Sequence, residues 1–147
     1  MSGLLEGWDW FDNGLQNVLK EHGFKHLNKS QSMMVLYISA GVQRPIEIAR
    51  KMRLSRQAIR HIEKQLVDLD MITSQADPHD NRSKVLVFRK ETTKLRQFAR
   101  QTILELESLL AARLGEANAA ALRAVLNLDW GPVVSGRPAA KRRRTRT

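Results

Sequence analysis

Apolar residues in the first seventy positions recur at helical spacing, in segments separated by residues that cap or stop helices. The predicted helices cover residues 9–22, 31–40, 46–52 and 56–69. Gly23 and Gly41 follow the first two helices as stops. Ser30 and Ser55 are candidate caps for the second and fourth helices, and Pro45 suits the first turn of the third. The pattern predicts two helices, then a short helix, a turn and a longer helix.

The hydrophobic period changes after residue 70. Residues 71–74 are β-capable, residues 77–81 are dense in turn formers, and residues 85–88 are β-branched and apolar. This pattern is typical of a β-hairpin with a charged tip. The predicted fold class is therefore mainly α with a small β-hairpin wing (α+β), in the order of a winged helix-turn-helix.

The helical pattern returns over residues 91–113 and, after a break at Gly115, over residues 116–128. The longer helix has one mainly apolar stripe, formed by Leu95, Phe98, Thr102, Leu106 and Leu109. A helix of about 23 residues extends about 34 Å, which is more than a compact winged domain needs. The stripe therefore predicts a homodimer built from the terminal helices. Packing against the first helix within one chain is the alternative.

These patterns divide the chain into four predicted parts. They are an N-terminal dimerisation helix (1–29), a winged helix-turn-helix domain (30–90), C-terminal dimerisation helices (91–130) and a disordered basic tail (131–147). The tail is assigned to disorder because it has glycine, proline and like charge with little to bury.

The positive charge of the chain is concentrated in two places. The net charge is +10; residues 44–100 hold fourteen Lys/Arg against seven Asp/Glu, and the residues after Asp129 hold six basic and no acidic residues. This distribution predicts a polyanion-binding face, with a solvated basic surface as the alternative. The chain has no cysteine, so disulfides and cysteine chemistry are excluded. It has no apolar run of membrane-spanning length and no basic start typical of a signal peptide, so we expect a cytoplasmic protein without a membrane partner.

The fourth predicted helix combines an apolar stripe with side chains that suit DNA. One face carries Ile59, Ile62, Leu66 and Leu69, which predict its attachment to a core. The side chains away from that stripe are Arg56, Gln57, Arg60, His61 and Lys64. Arginine pairs with guanine and glutamine with adenine through two hydrogen bonds, and lysine pairs with phosphate. An ordinary exposed basic helix is the alternative.

The predicted hairpin tip carries a second basic group. Asp80 stands close to Arg82 and Lys84, so its carboxylate can brace the arginine. An arginine on a thin ribbon suits a narrow A·T minor groove. Two basic elements this close together favour DNA binding more than either does alone.

Residues 30–84 resemble the DNA-binding core of the MarR family of winged-helix regulators. The resemblance lies in Arg-Pro-Ile-Glu-Ile-Ala at 44–49, Leu-Ser-Arg-Gln-Ala-Ile at 54–59 and Asp-Pro-His-Asp-Asn-Arg-Ser-Lys at 77–84. It implies Arg56, Gln57 and Arg60 at the major groove, and Arg82 braced by Asp80 in the minor groove. The full DNA-binding set that we predict is Arg44, Ser55, Arg56, Gln57, Arg60, His61, Lys64, Asp80, Arg82, Ser83 and Lys84.

The resemblance also implies a function. It is that of a bacterial, dimeric transcription regulator, more often a repressor, that occupies a palindromic operator and is released by a small organic effector. Such a protein is cytoplasmic and associates with the nucleoid when it is bound to DNA. The alternative is a nonspecific or architectural nucleic-acid binder that uses the basic tail; the two differ over whether sequence preference survives deletion of residues 131–147.

The sequence departs from the family pattern at three places. Asp70 stands where the family usually has a glycine in the left-handed region. Phe88 and Arg89 replace the usual Leu-Thr after the second strand of the wing. The first helix is predicted to be short, which bears on the dimer.

Catalysis and cofactors have no candidate residues. His22 and His26 have the spacing of a helical metal pair, but Gly23 lies between them and no third ligand is near, so no metal site is predicted. No serine–histidine–acid set or glycine-rich phosphate loop is present, so we expect a protein that is not an enzyme and holds no cofactor.

Overall fold

The computed structural model describes residues 2–133, with the side chain of Asn81 left out. Most of the predicted tail, from residue 134 onward, lies outside the described residues. The elements in chain order are α1 (Ser2–Glu21), α2 (Lys29–Ser39), α3 (Pro45–Met52), α4 (Arg56–Asp68), β1 (Ile72–Asp77), β2 (Asp80–Phe88), a 3-10 turn (Lys90–Thr92), α5 (Thr93–Leu114) and α6 (Glu116–Leu126). The predicted α+β class with a hairpin wing is confirmed. The chain forms two compact units, one up to residue 109 and one from residue 110, and the predicted division into four parts stays a prediction.

The helices of the winged domain begin where capping chemistry allows. Ser55 caps α4, because its hydroxyl accepts the backbone N–H of Ala58 at 3.1 Å. Pro45 occupies the first turn of α3, as predicted. The prediction that Ser30 caps α2 was wrong, because the cap is Asn28, two residues earlier, which forms a reciprocal capping box with Gln31.

The first helix is longer than the sequence pattern predicts. It runs over Ser2–Glu21 and not from residue 9, so the expectation of a short helix was wrong. Its end agrees with the prediction, because Gly23 follows in the left-handed region at φ 78°. Residues 2–8 carry two glycines and exposed leucines, and therefore no burial period that would mark them as helical.

The core of the winged domain lies between α2, α3, α4 and the hairpin. Its fully buried side chains are Met34, Ile48, Ile59, Leu66, Ile72 and Leu86. The predicted anchoring face of α4 is confirmed at Ile59, Ile62 and Leu66, which are buried, while Leu69 caps the end of the helix and is partly buried against the same core. The core fixes the orientation of α4, so the opposite face of that helix is left for a partner.

The wing is a two-stranded antiparallel sheet with a tighter tip than predicted. The pairing runs from Ile72 opposite Phe88 to Asp77 opposite Asp80, with an irregularity between Ala76 and Asp77. Only two residues connect the strands, so part of the predicted turn, residues 77–81, belongs to the strands themselves. The polar outer halves of both strands lack the apolar signal that defines the inner halves.

Two departures from the family pattern contact each other. Asp70 adopts the left-handed conformation, with φ 58°. Its carboxylate accepts a hydrogen bond from Arg89 Nη1 at 2.8 Å, and Arg89 is the residue that replaces the family's threonine. Aspartate tolerates this conformation better than most residues, and the ion pair attaches it to the end of the wing.

Part of the apolar stripe of α5 packs on α1 and the loop after it. The Phe98 ring lies 4.5 Å from the ring of His22 and 5.7 Å from that of Phe24, measured between centroids. A Cβ at Gly14 would come within 3.2 Å of Leu106, so the glycine permits this close approach. The alternative of packing within one chain therefore accounts for part of the stripe.

Candidate nucleic-acid interface

The outer face of α4 is polar, basic and open. Ile59, Ile62 and Leu66 turn inward, so the helical period places the intervening side chains outside. These exposed side chains are Arg56, Gln57, Arg60, His61 and Lys64. The structure therefore brings together, on one helix face, the residues that the sequence assigns to a major groove.

A cleft of about 610 Å³ lies beside this face. It is bounded by the start of α3, by α4 and by β2, and its lining residues are Pro45, Ile46, Arg56, Ile59, Arg60, Glu63, Lys64, Val67 and Lys84. Four of these side chains are cations and one is an anion. Helix α4 and the wing thus present one concave basic surface, of the kind that attracts a polyanion.

The tip of the wing is held by Asp80. Its carboxylate accepts the backbone N–H of Arg82 at 3.0 Å and the hydroxyl of Ser83 at 2.6 Å. These two hydrogen bonds, that of Ser83 first, hold the pKa of the Asp80 carboxyl below its ordinary value. Asp80 thus holds the backbone of Arg82. Within the described residues no ion pair joins the Asp80 carboxylate to the Arg82 guanidinium.

Lys84 shares a side of the wing with the core residue Leu86, because side chains alternate along a regularly paired strand. Arg82 lies between Asp80 and Lys84, in the irregular part of β2 that has no pairing residue on β1. Leu86 is buried in the domain, whereas Arg82 and Lys84 are exposed further along the strand. Lys84 also lines the cleft beside α4.

Arg44 pairs with carboxylates of its own domain, although its side chain is 40% exposed. Its Nε donates to Asp77 Oδ2 at 2.6 Å, and Nη1 lies 3.8 Å from Glu47. The Arg44 hydrogen bond, followed by the backbone N–H of His79, lowers the pKa of the Asp77 carboxyl, and the same pair raises the pKa of Arg44. Asp77 was not among the predicted site residues, because residues 77–81 are dense in turn formers and nothing in the sequence distinguishes Asp77 from the others.

His61 and Ser55 also make contacts within the chain. Ser55 is occupied as the cap of α4. His61 Nε2 lies 2.9 Å from the amide nitrogen of Gln65, and Gln65 Oε1 accepts from Gln31 at 3.1 Å. Gln31 belongs to the capping box of α2, so these bonds connect the outer face of α4 to the start of α2.

The described residues contain no group of three or more His, Asp or Glu side chains placed to hold a metal ion. His22 Nδ1, one of the two histidines weighed as ligands, lies 2.9 Å from the carbonyl oxygen of Val18. No helix in the part of the chain that the structure describes is long and apolar enough to span a bilayer.

The arrangement defines the class of fold as a winged helix. No protein-family model matches the sequence, and no curated protein matches it. Solved structures do match over most of the chain. MarR from E. coli is 16% identical over 86% of this chain and 93% of that one, with a TM-score of 0.62.

Two further solved structures agree with this result. A MarR-family transcriptional regulator from Rhodococcus sp. RHA1 is 18% identical over 84% of this chain and 87% of that one, with a TM-score of 0.59. The F27L mutant of S. aureus MepR bound to an oligodeoxyribonucleotide is 19% identical over 85% of this chain and 91% of its own, with a TM-score of 0.55. The chain thus has the winged-helix fold of the MarR-family regulators, as the three sequence motifs predict.

Proposed function

We propose that this chain is a MarR-family transcription regulator that binds a palindromic operator as a homodimer and represses by occupying it. The observation that carries the proposal is the concave basic surface between α4 and the wing, with four cations around one cleft. The fold is shared with regulators, and one of the structural neighbours is bound to DNA. In this proposal the protein is cytoplasmic, is nucleoid-associated when bound, and is no enzyme.

Each part of the surface has its own role in the proposal. The exposed N-terminal half of α4 enters the major groove, where Arg56, Gln57 and Arg60 read base edges and Lys64 pairs with phosphate. Arg82, on the far part of the wing, enters the adjacent minor groove. Release by a small organic effector is a further part of the proposal and rests on the family resemblance.

Apolar side chains left uncovered in both units support the dimer. In the first unit, Leu104 and Leu109 on α5 are 49% and 44% exposed. In the second, no residue of the described helix α6 is buried, and Val125 is 56% exposed. A second copy of the chain would cover such surfaces, and a two-fold dimer would place two α4 helices about one DNA turn apart.

The test is selection of bound DNA by the full-length chain from random duplexes. The expected result is an enriched palindrome whose half-sites are about one helical turn apart. Enrichment of a single unrepeated motif would refute the dimer and leave DNA reading intact. Binding without any enriched sequence would refute the regulator and favour an architectural role.

A further inference from the structure

The turn end of the wing is joined to the start of α3 by an ion pair. Arg44 is the residue immediately before α3, and Asp77 is the last residue of β1, 33 positions further along the chain. Arg44 Nε and Asp77 Oδ2 are 2.6 Å apart, and the aspartate is only 2% exposed. A carboxylate buried to this degree depends on its cation, because an unpaired buried charge is costly.

A second bond fixes the other strand to the same place. The backbone N–H of Leu86, on β2, donates to the carbonyl oxygen of Gln43 at 2.9 Å. Two consecutive residues, Gln43 and Arg44, thus hold both strands of the wing. The body of the domain therefore controls the direction in which the wing extends.

Asp77 also connects this ion pair to Asp80 and the rest of the tip. It pairs with Asp80 across the hairpin and accepts the backbone N–H of His79. Asp80 in turn holds the backbone N–H of Arg82. A continuous set of bonds thus runs from the start of α3 to the backbone of the residue proposed for the minor groove.

We infer that Arg44 and Asp77 are positioning residues for DNA binding, whose ion pair sets the angle of the wing relative to α4. This inference rests on the proposed function, and it replaces the expectation that Arg44 itself contacts DNA. In this inference Arg44 acts indirectly. Its bond to Asp77 fixes the position of the wing, and the wing carries Arg82 and Lys84 to the DNA. Loss of either partner should therefore remove the minor-groove contribution.

The decisive variant is Asp77→Asn, since the two roles of Arg44 predict opposite effects. If Arg44 contacts phosphate, the variant frees the Arg44 guanidinium and removes a negative charge, so binding stays equal or tightens. If Arg44 positions the wing, affinity for an operator with A·T flanks falls about tenfold, and the preference for A·T over G·C flanks disappears. Asp70→Asn is the matched control; it makes the same charge change at an exposed ion pair and should change affinity less than about twofold.

Arg44→Gln and the double variant complete the test. Positioning predicts that both single variants and the double variant lose the same factor, because each breaks one shared bond. Direct contact predicts a loss of affinity in Arg44→Gln and in the double variant, but not in Asp77→Asn. It also predicts that the slope of log affinity against log salt concentration becomes shallower by about 1. Wild-type protein that shows no sequence preference would refute the proposed function, whereas wild-type preference with a fully active Asp77→Asn would refute the positioning role alone.

Wing geometry is also measurable without DNA. The chain has no cysteine, so spin labels can be placed on new cysteines at two exposed positions, Asp68 on α4 and Gln75 on β1. Pulsed electron resonance should then give a broadened or shifted distance distribution in the Asp77→Asn and Arg44→Gln backgrounds. An unchanged distribution in either folded variant contradicts the inference, so it stays testable even where the other variant fails to fold.

Discussion

Replacing Leu66 with alanine is expected to lower the free energy of unfolding by about 2–5 kcal/mol. Leu66 is 0% exposed and packs in the core that α4 shares with α2 and the hairpin. The lost transfer free energy adds to the cost of a cavity that the surrounding residues fill only in part. Small domains are stable by about 5–15 kcal/mol, so the loss is a large share of the total. Guanidinium unfolding followed by circular dichroism should show a lower midpoint with an unchanged slope.

The neighbouring residue Val67 provides a matched control on the same helix. It is 38% exposed, so Val67→Ala opens no enclosed cavity and should change the free energy of unfolding by less than about 1 kcal/mol. Equal losses at the two positions would show that α4 is attached to the core by a different face.

Loss of either proposed DNA-reading arginine is expected to reduce operator affinity about 5- to 150-fold, or about 1–3 kcal/mol. The two losses should differ in kind. Arg60→Ala should relax base preference inside each half-site, because the side chain lies on the exposed face of α4. Arg82→Ala should weaken binding most at sites flanked by narrow A·T minor grooves. Titrations of labelled duplexes that differ in one base or in their flanks would separate these effects.

Arg100→Ala is the charge-matched control for both substitutions. Arg100 is exposed on α5, outside the cleft, and its loss should leave sequence preference unchanged. An Arg60→Ala or Arg82→Ala protein that keeps the wild-type preference would show that the arginine contributes charge alone.

The architecture of the winged domain was predictable because its signals are local. The stripe of Ile59, Ile62 and Leu66 and the cap at Ser55 each depend on residues within a few turns of one helix. The basic face of α4 follows from the same period, since buried positions define exposed ones. For these elements, pattern and structure agree.

Other features were not predictable from local patterns. Some depend on pairs of residues that are distant in the chain, and one lies in a segment without an apolar period. Arg44 and Asp77 are 33 positions apart, and nothing in the sequence around either residue indicates that they pair. The same holds for Asp70 and Arg89, which the sequence presents as two separate departures. The start of α1 was missed because Leu4 and Leu5 are exposed and so define no buried face.

A chain of hydrogen bonds from the start of α2 to α4 determines which nitrogen of His61 accepts. The backbone N–H of Asn28 can only donate, so Gln31 Oε1 accepts it and the Gln31 amide nitrogen donates to Gln65 Oε1. Because Gln65 Oε1 accepts this bond, it is the Gln65 amide nitrogen that faces His61. The amide nitrogen donates, so His61 Nε2 accepts. A ring nitrogen that accepts carries no proton, so the ring proton of His61 is on Nδ1. In the proposed complex this Nδ1–H is a donor, which suits a phosphate oxygen or a guanine edge and does not suit the amino group of cytosine.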